Sequence, residues 1–248
     1  MVSALSGRAL VTGAGSGIGA AVATRLLADG IDVVATDVNE LGLRAVAEAG
    51  AEVVVADLAD LGDRRRVVDA GDGVDYLVNA AGIIRLKSLT EFSVEDWRTI
   101  FTVNAEAPFF LCQGIGPTMP PGGAIVNLSS SSAKLTNTTE AGVYAASKAA
   151  VLSVTRSFAY ELASIPIRVN AVCPGVIDTP MQDAVLAQVA PLRGMTPDEL
   201  STARLAGVPL GRAASPDELA GYIRFLLSDD AGYITGQSLN YGGGLVTW

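Results

Sequence analysis

The chain has 248 residues, of which half are apolar and 17% are charged, and this is enough for one large α/β domain with a substantial core. Its net charge of −9 argues against nucleic acid or an anionic membrane as a partner. The sequence contains no histidine, so histidine-based triads and histidine-ligated zinc or haem are excluded and no metal site is expected.

The two cysteines, Cys112 and Cys173, lie in apolar surroundings. We interpret them as reduced core residues of a cytoplasmic protein rather than as a disulfide. Residues 1–7 lack the features of a signal peptide, and the longest apolar runs are far shorter than a membrane span.

Apolar runs alternate with helical patterns along the whole chain. The runs typical of buried strands are residues 8–12, 31–36, 52–56, 74–78, 124–128, 167–172 and 238–240. Helical patterns cover residues 20–29, 41–49, 60–70, 94–114 with an interruption near Pro108, 143–162 and 216–227, and residues 181–208 mix helix and loop. This alternation predicts a single-domain Rossmann fold over residues 1–248, a doubly wound parallel sheet of about seven strands with helices on both faces. Residues 181–208 are expected to form a substrate lid.

Three consecutive arginines, Arg64, Arg65 and Arg66, fall in the predicted helix 60–70. They suit either an anion site or a solvated helix face, and we expect the solvated face.

Polar residues or glycine breaks follow five of the predicted strands. Because ligands of such sheets bind beyond the carboxyl ends of the strands, these positions predict one shared site. They are Asp37, Asp57, Asn79, Ser130 and the pair Pro174-Gly175.

A glycine-rich stretch, residues 13–19, lies between the first strand and the first helix. Glycines allow a pyrophosphate to approach the backbone, and the helix N-terminus supplies N–H donors, so this context favours a dinucleotide. Asp37 follows about 20 residues later and is expected to accept hydrogen bonds from a ribose diol. Since positions 16 and 38 are Ser and Val, no cation is present to receive a 2′-phosphate, and NAD is favoured over NADP. The alternative role for Asp37 is a helix N-cap.

Asp57 and Leu58 follow the third strand. They are expected to bracket an adenine, with Asp57 bonding the amino group of the base and Leu58 packing on the ring. The alternative is that Asp57 is an ordinary turn aspartate.

Tyr144 and Lys148 are four residues apart in a helical pattern, which places them on one face with Cβ atoms roughly 5–6 Å apart. A cation at that distance stabilises phenolate and lowers the pKa of the tyrosine, which makes it a base near neutral pH. Alone, this pair is common on surface helices.

Together, these motifs resemble the short-chain dehydrogenase/reductase family over nearly the whole chain. The motifs, in the family's order, are the glycine stretch, Asn79-Ala80-Ala81-Gly82, Asn104, the serine run 129–132, Tyr144-x-x-x-Lys148 and Pro174-Gly175-x-x-x-Thr179. The match departs from the family's pattern at Ala80, where a second asparagine is usual, and the segment between Asp57 and Asn79 is short.

The resemblance implies a catalytic set of Asn104, Ser130, Tyr144 and Lys148. Tyr144 would be the general acid/base, Ser130 would polarise the substrate oxygen, and Asn104 would hold a water that links Lys148 to solvent. Asn104 suits equally a residue that caps a helix kink. The implied cofactor contacts are Gly13, Ser16, Gly17, Ile18, Gly19, Asp37, Asp57, Leu58, Asn79, Ala80, Ala81, Gly82, Tyr144, Lys148, Pro174, Gly175, Ile177 and Thr179.

Two adjacent serines are candidates for the catalytic serine. Alignment with the strand 124–128 selects Ser130, fourteen residues before Tyr144, whereas the family's usual gap of thirteen selects Ser131. We prefer Ser130, because a loop absorbs insertions more readily than a strand end does.

The implied activity is the NAD-dependent interconversion of a secondary alcohol and its ketone, with a small-molecule alcohol or ketone as substrate. The other function considered is a non-catalytic nucleotide sensor or scaffold on the same fold. Specificity is expected from residues 83–85, where Arg85 either pairs with an acidic substrate or faces solvent, from the lid, and from the loop 132–143. A polyol or sugar suits the polar residues of that loop, and a small secondary alcohol, diol or hydroxy ketone also fits. The polar residues are Ser132, Asn137, Thr138, Thr139 and Glu140.

The apolar lid residues either close over the substrate or pack the lid helices. They are Met181, Val185, Leu186, Val189, Leu192 and Met195. The resemblance also implies a homotetramer that uses helices 94–114 and 143–162, and we expect Trp248 in a subunit contact.

Overall fold

Seven parallel strands form one sheet in the order β3-β2-β1-β4-β5-β6-β7 in the computed structural model, which describes residues 3–136 and 138–248. The strands are β1 Arg8–Thr12, β2 Asp32–Asp37, β3 Glu52–Val55, β4 Tyr76–Asn79, β5 Ala124–Leu128, β6 Arg168–Pro174 and β7 Ser238–Tyr241. The strand order reverses at β1, which pairs with both β2 and β4, so a crevice opens at the carboxyl end of β1. The predicted doubly wound parallel sheet is confirmed.

Helices cover both faces of the sheet. Alternate residues of a strand point to opposite faces, so Leu10 packs in one core layer and Val11 in the other. The Val11 layer includes buried residues of α1 Gly17–Ala28, α2 Glu40–Glu48 and α9 Pro216–Leu227. The Leu10 layer includes those of α3 Leu61–Ala70, α5 Ala107–Ile115 and α6 Gly142–Glu161. The other described α-helices are α4 Val94–Phe101, α7 Pro180–Leu192 and α8 Pro197–Ala206.

The predicted interruption of helix 94–114 lies upstream of its expected place. The helix splits into α4 and α5 at a π-helical turn, Thr102–Glu106, and Pro108 lies in the first turn of α5. Proline lacks the N–H that would bond to the Asn104 carbonyl, so the regular pattern fails before residue 108 rather than at it. The turn carries Asn104 into the interior.

The prediction of a solvated arginine face on α3 is wrong for Arg64. This side chain is 3% exposed, donates to the Leu58 carbonyl at 3.1 Å and pairs with Glu106 at 2.8 Å. Arg65 and Arg66 are exposed as expected. Arg64 is buried because it lies against the Phe110 ring and ties α3 to the π-helical turn.

Both cysteines are buried and free, as predicted. No helix within the described residues is long and apolar enough to cross a membrane.

Candidate active site

The glycine-rich loop after β1 is closely packed against the loop after β4. Gly13 has a φ of +68°, and a Cβ there would lie 2.8 Å from the Ala81 backbone. A Cβ on Gly19 would collide with the Gly13 carbonyl. Thr12 Oγ1 holds the two loops together by accepting hydrogen bonds from Ala80 N at 3.0 Å and Ala81 N at 3.1 Å. Only glycine fits these positions of the loop.

The N-terminus of α1 is left open by its own N-cap. Ser16 has an extended backbone and its side chain accepts no capping hydrogen bond, whereas Asn39, Asp60 and Thr179 all cap their helices. The first-turn N–H groups of α1 therefore point to the crevice without a side-chain acceptor. Together with the glycine cradle, this arrangement fits the pyrophosphate of a dinucleotide.

The carboxylate of Asp37 lies at the end of β2, beside the glycine loop. It accepts hydrogen bonds from Gly15 N at 3.0 Å and from Asn39 N at 2.8 Å. The N-cap of α2 is Asn39, which accepts from Gly42 N at 3.2 Å, so the N-cap alternative for Asp37 is not observed. The crevice around Asp37 is lined by no lysine or arginine of the described chain.

Asp57 and Leu58 line the same crevice. The Asp57 carboxylate accepts from Ala59 N at 2.8 Å, which is the turn contact that the alternative interpretation predicts. Leu58 is buried at the crevice wall.

The side chain of Asn79 does not line the crevice, unlike the three residues that follow it. Its side chain is 2% exposed, points into the sheet and donates to Asn127 Oδ1 at 2.8 Å. Ala80, Ala81 and Gly82 line the crevice, but Asn79 does not. Any contact of Asn79 with a cofactor therefore has to involve its backbone.

Tyr144 and Lys148 lie on the inner face of α6 and line the cleft. The Lys148 ammonium donates to the Leu128 carbonyl at 2.8 Å and lies 5.9 Å from the centroid of the Tyr144 ring. A Cβ on Gly82 would lie 3.2 Å from Lys148 Nζ, so the backbone of this loop approaches the ammonium closely. Burial lowers the pKa of Lys148 to about 8.

The pKa of Tyr144 shifts in the direction opposite to the expected one. Burial raises it, and the hydrogen bond from Ser130 lowers it by less. The Lys148 ammonium is held at the end of β5 by the Leu128 carbonyl and lies 5.9 Å from the centroid of the Tyr144 ring. In this state the phenol keeps its proton.

The serine run places three hydroxyls in three different environments. Ser130 lies close enough to the Tyr144 phenol to lower its pKa, and Ser130 Oγ accepts from Ser132 N at 3.1 Å. Ser129 Oγ donates to the Lys148 carbonyl at 2.8 Å and so fixes the serine loop on α6. Ser131 is buried at the start of a short 3₁₀ turn. The geometry favours Ser130 as the partner of Tyr144.

Asn104 connects the π-helical turn to two other parts of the site. Its amide accepts from Ile83 N at 2.8 Å, and it donates to the Ile83 carbonyl at 2.9 Å and to Ser147 Oγ at 3.0 Å. Its Oδ1 would lie 3.4 Å from a Cβ on Gly82. Asn104 therefore fixes the loop after β4 against α6, next to Lys148.

The loop after β6 forms part of the cleft wall. Pro174, Gly175, Ile177 and Thr179 line it, and Thr179 Oγ1 caps α7 by accepting from Gln182 N at 3.4 Å. The glycine-loop crevice and the Tyr144 end share lining residues and so form one continuous site. The shared residues are Ile18, Ala80, Gly82, Thr179 and Met181.

The lid residues divide between the two expected roles. Met181 and Val185 line the cleft, and Leu186, Val189 and Met195 pack with Val185 in a small cluster behind it. Leu192 is exposed. Among the polar loop residues, Ser132 and Thr138 line the cleft, and Asn137 lies outside the described residues.

Arg85 pairs with Asp96 at 2.6 Å, so its guanidinium already has an acidic partner. Glu140 pairs with Arg193 at 2.9 Å. Gln182 and Arg204 lie in the predicted lid but were not singled out by the sequence, and Leu245 was not expected at the site, because each becomes part of the cleft only through the fold of the lid and the C-terminal segment.

Comparisons with known proteins agree with this geometry. Residues 13–246 match the family model described as enoyl-(acyl carrier protein) reductase. Galactitol 2-dehydrogenase from Agrobacterium fabrum is 35% identical, with 95% of this chain and 96% of that protein covered. The 3-oxoacyl-[acyl-carrier-protein] reductase from Thermotoga maritima is 37% identical, with 96% of each covered.

Solved structures give the same result. A short-chain dehydrogenase/reductase described as glucose/ribitol dehydrogenase from Brucella melitensis superposes with a TM-score of 0.87 at 32% identity over 97% of both chains. A single-substitution variant of actinorhodin polyketide ketoreductase with NADPH superposes with a TM-score of 0.89 at 32% identity over 100% of both chains. The chain therefore belongs to the short-chain dehydrogenase/reductase family and is an oxidoreductase that acts on CH–OH groups with a nicotinamide cofactor.

Proposed function

We propose that the protein interconverts a secondary alcohol and its ketone with NAD, and that Tyr144 is the general acid/base. The observation that carries this proposal is the position of the phenol, next to Ser130 and one turn from buried Lys148, in the same cleft as the glycine loop. When bound, the nicotinamide supplies the hydride acceptor or donor.

Each catalytic residue has a separate task. In reduction, the protonated Tyr144 gives its proton to the nascent alkoxide, and its raised pKa keeps that proton in place beforehand. In oxidation, Tyr144 has to lose its proton before it removes the one on the alcohol. Ser130 is placed to donate a hydrogen bond to the same substrate oxygen.

Lys148 and Asn104 would support the proton transfer that Tyr144 carries out. Lys148, with a pKa of about 8, is mostly charged at neutral pH and supplies positive charge close to the phenol. The Asn104 amide lies beside Lys148 and holds the Ile83 backbone, which fits a role in a path for protons to solvent.

The preference for NAD rests on Asp37. Its carboxylate lies in the crevice with no neighbouring lysine or arginine among the described lining residues, so a 2′-phosphate would meet negative charge without compensation. A ribose diol can instead donate hydrogen bonds to the carboxylate. Because the structure of actinorhodin polyketide ketoreductase contains NADPH, the preference for NAD is argued from the residues of this chain and not from the family.

We propose a polyol, a sugar or a similar hydroxylated compound as substrate. Hydroxyl and amide groups at the Tyr144 end of the cleft suit such a molecule, and the galactitol and glucose/ribitol relatives act on compounds of this class by name. The lid over residues 181–208 would close this end through Met181 and Val185. The sensor or scaffold alternative has no support, because the relatives are named dehydrogenases and reductases.

We further propose a cytoplasmic homotetramer. Two reduced, buried cysteines fit a reducing compartment. Phe109 and Phe110 on α5 are partly exposed large apolar residues, and Trp248 at the C-terminus is 72% exposed, which favours burial in subunit contacts.

The test is steady-state kinetics on a panel of polyols, sugars and other secondary alcohols with NAD and with NADP. We expect turnover with a kcat/KM for NAD at least about tenfold above that for NADP. Asp37→Asn keeps a hydrogen-bond acceptor for Gly15 and should raise the NADP/NAD ratio about tenfold, while Asp32→Asn, an exposed aspartate at the other end of β2, should leave it unchanged. A wild-type preference for NADP, or tight NAD binding without any turnover, would contradict the proposal.

A further inference from the structure

The substrate end of the cleft carries positive charge in a molecule whose net charge is −9. The described residues that line this end include two cations, Lys148 and Arg204, and neither an aspartate nor a glutamate. Lys148 donates to the Leu128 carbonyl and lies beside Tyr144. Arg204 is therefore the cation available to a group of the substrate remote from the reacting carbon.

Arg204 differs from every other arginine of the described chain. It lies in the last turn of α8, is only partly exposed, and takes part in no ion pair or side-chain hydrogen bond within residues 3–136 and 138–248. The other arginines without such contacts are all exposed, namely Arg25, Arg44, Arg65, Arg98 and Arg156.

The surroundings of Arg204 disfavour its charge. Burial lowers its pKa, and so does the nearby charge of Arg193. A guanidinium nevertheless stays protonated, so it has no way to relieve this cost by losing its proton. Arg193 itself is compensated by Glu140 at 2.9 Å, whereas Arg204 has no carboxylate neighbour among the described residues.

The helix dipole does not explain this placement. A cation in the last turn of a helix is favourable, but it is favourable at the exposed surface as well. Arg25 occupies the last turn of α1 and is exposed to solvent. Burial against the cleft is the feature that distinguishes Arg204, and a partly desolvated charge in a cleft is typical of a ligand contact.

We propose that Arg204 binds an oxyanion on the substrate, a carboxylate or a phosphate, and thereby orients the CH–OH group toward Tyr144. The inference rests on the proposed function and narrows its substrate class to anionic alcohols, such as hydroxy acids or phosphorylated polyols. A guanidinium suits this role because it presents paired N–H donors to two oxygens of one planar or tetrahedral oxyanion.

The test uses substrate pairs in which one member carries an anionic group and the other is neutral. One pair is a hydroxy acid and its methyl ester, and the other is a polyol and its monophosphate, so the two sources of an oxyanion are separated. We expect the wild-type enzyme to have a kcat/KM at least about tenfold higher for the charged member of one pair. Arg204→Gln should lower kcat/KM for that member by about 10- to 100-fold and change the neutral member by less than about threefold.

Two further variants separate the effect of the charge on Arg204 from an effect on the folding of the protein. Arg204→Lys keeps the charge and should retain part of the preference, while Arg25→Gln, the matched last-turn arginine, should change neither member. If Arg204→Gln does not fold, the salt dependence of the wild-type preference decides. A preference that falls with added salt supports the proposal, and one that is independent of salt contradicts it.

Other outcomes separate this inference from the proposed function. A wild-type preference for the neutral member of both pairs, or an equal loss on both members in Arg204→Gln, contradicts the role of Arg204 alone. Absence of any turnover contradicts the proposed function. In that case, calorimetry measures the binding of the hydroxy acid and of the polyol monophosphate to the NAD-saturated protein. Binding that Arg204→Gln weakens about tenfold supports the role of Arg204, and no binding of either anion contradicts it.

Discussion

Tyr144 is surrounded by groups that affect its proton in opposite directions. Burial raises its pKa, and the Ser130 hydrogen bond lowers it. The Lys148 ammonium lies 5.9 Å from the centroid of the ring and adds positive charge there, but it donates a hydrogen bond to the Leu128 carbonyl. The protonation of the phenol is therefore sensitive to small changes at these neighbours, which is typical of a general acid/base.

Ser130 and Ser131 are expected to differ sharply on substitution. Ser130→Ala removes the hydroxyl that contacts Tyr144, and we expect kcat to fall by about 10²-fold or more. Ser131→Ala serves as the matched control and should keep kcat within about threefold, since this side chain is not hydrogen-bonded to Tyr144. Loss of turnover in Ser131→Ala with activity kept in Ser130→Ala would show that the other serine is catalytic.

Lys148 should impose a pH dependence on stability. Its folded-state pKa of about 8 lies below the usual lysine value of 10.5, so the unfolded chain binds more protons between these values and the free energy of unfolding rises with pH there. Relative to Lys148→Met, the wild type should gain up to about 2–3 kcal/mol between pH 7 and pH 10.

Urea denaturation of both proteins at the two pH values measures this difference. The comparison with Lys148→Met cancels the titration of all other groups to first order. A gap between the two proteins that is constant with pH would show that burial does not depress the pKa of Lys148.

At the scale of elements, short local contacts fix where helices begin. α9 illustrates this, since Ser215 Oγ accepts from Glu218 N at 3.1 Å and the Glu218 carboxylate accepts from Ser215 N at 2.8 Å. The helix then packs Leu219 and Ile223 into the core layer shared with α1. The cap fixes where the buried face of α9 begins.

Loss of this cap has a calculable cost. Ser215→Ala should lower the free energy of unfolding by about 1 kcal/mol, whereas Ser215→Asp keeps a capping oxygen and should stay within about 0.5 kcal/mol of the wild type. Chemical denaturation at neutral pH measures both variants. Equal stability of all three proteins would mean that the cap contributes nothing to α9.

The sequence predicted those elements whose causes are local. The strands are apolar runs and several helices begin at a capping residue, so most of these elements were found within a few residues, whereas α7 and α8 were predicted only as a mixed segment over residues 181–208. The sequence predicted an interruption near Pro108 but not its form, a π-helical turn at residues 102–106 in which Asn104 reaches Ile83 and Ser147, residues that are distant in sequence. Buried Arg64 was missed for the same reason, since its partners Glu106 and Phe110 lie on another helix.

The candidate site shows the same division. Its motif residues were predicted individually, and the structure gathers them along one cleft, apart from the buried side chains of Asn79 and Asn104. The direction of the Tyr144 pKa shift was predicted wrongly, because a four-residue spacing does not specify where a lysine side chain ends. Arg204 belongs to none of the motifs found in the sequence.

At the scale of the whole molecule, the prediction concerns assembly. A homotetramer of the 25.4 kDa chain should sediment with four times that mass. Phe110→Glu would place a charge on an expected contact surface of α5 and should shift the mass toward dimer or monomer, while Leu192→Glu, on an exposed position of the lid, should not. A wild-type monomer at micromolar concentration would contradict the tetramer.

The central claim is that Tyr144 transfers the proton in an NAD-dependent reaction, and Tyr144→Phe tests it most directly. The measurement is single-turnover formation of NADH from an accepted alcohol, combined with NAD binding by calorimetry. We predict that Tyr144→Phe binds NAD within about threefold of the wild type and forms NADH at least about 10³-fold more slowly. NADH formation at a rate within about tenfold of the wild type would contradict this role of Tyr144.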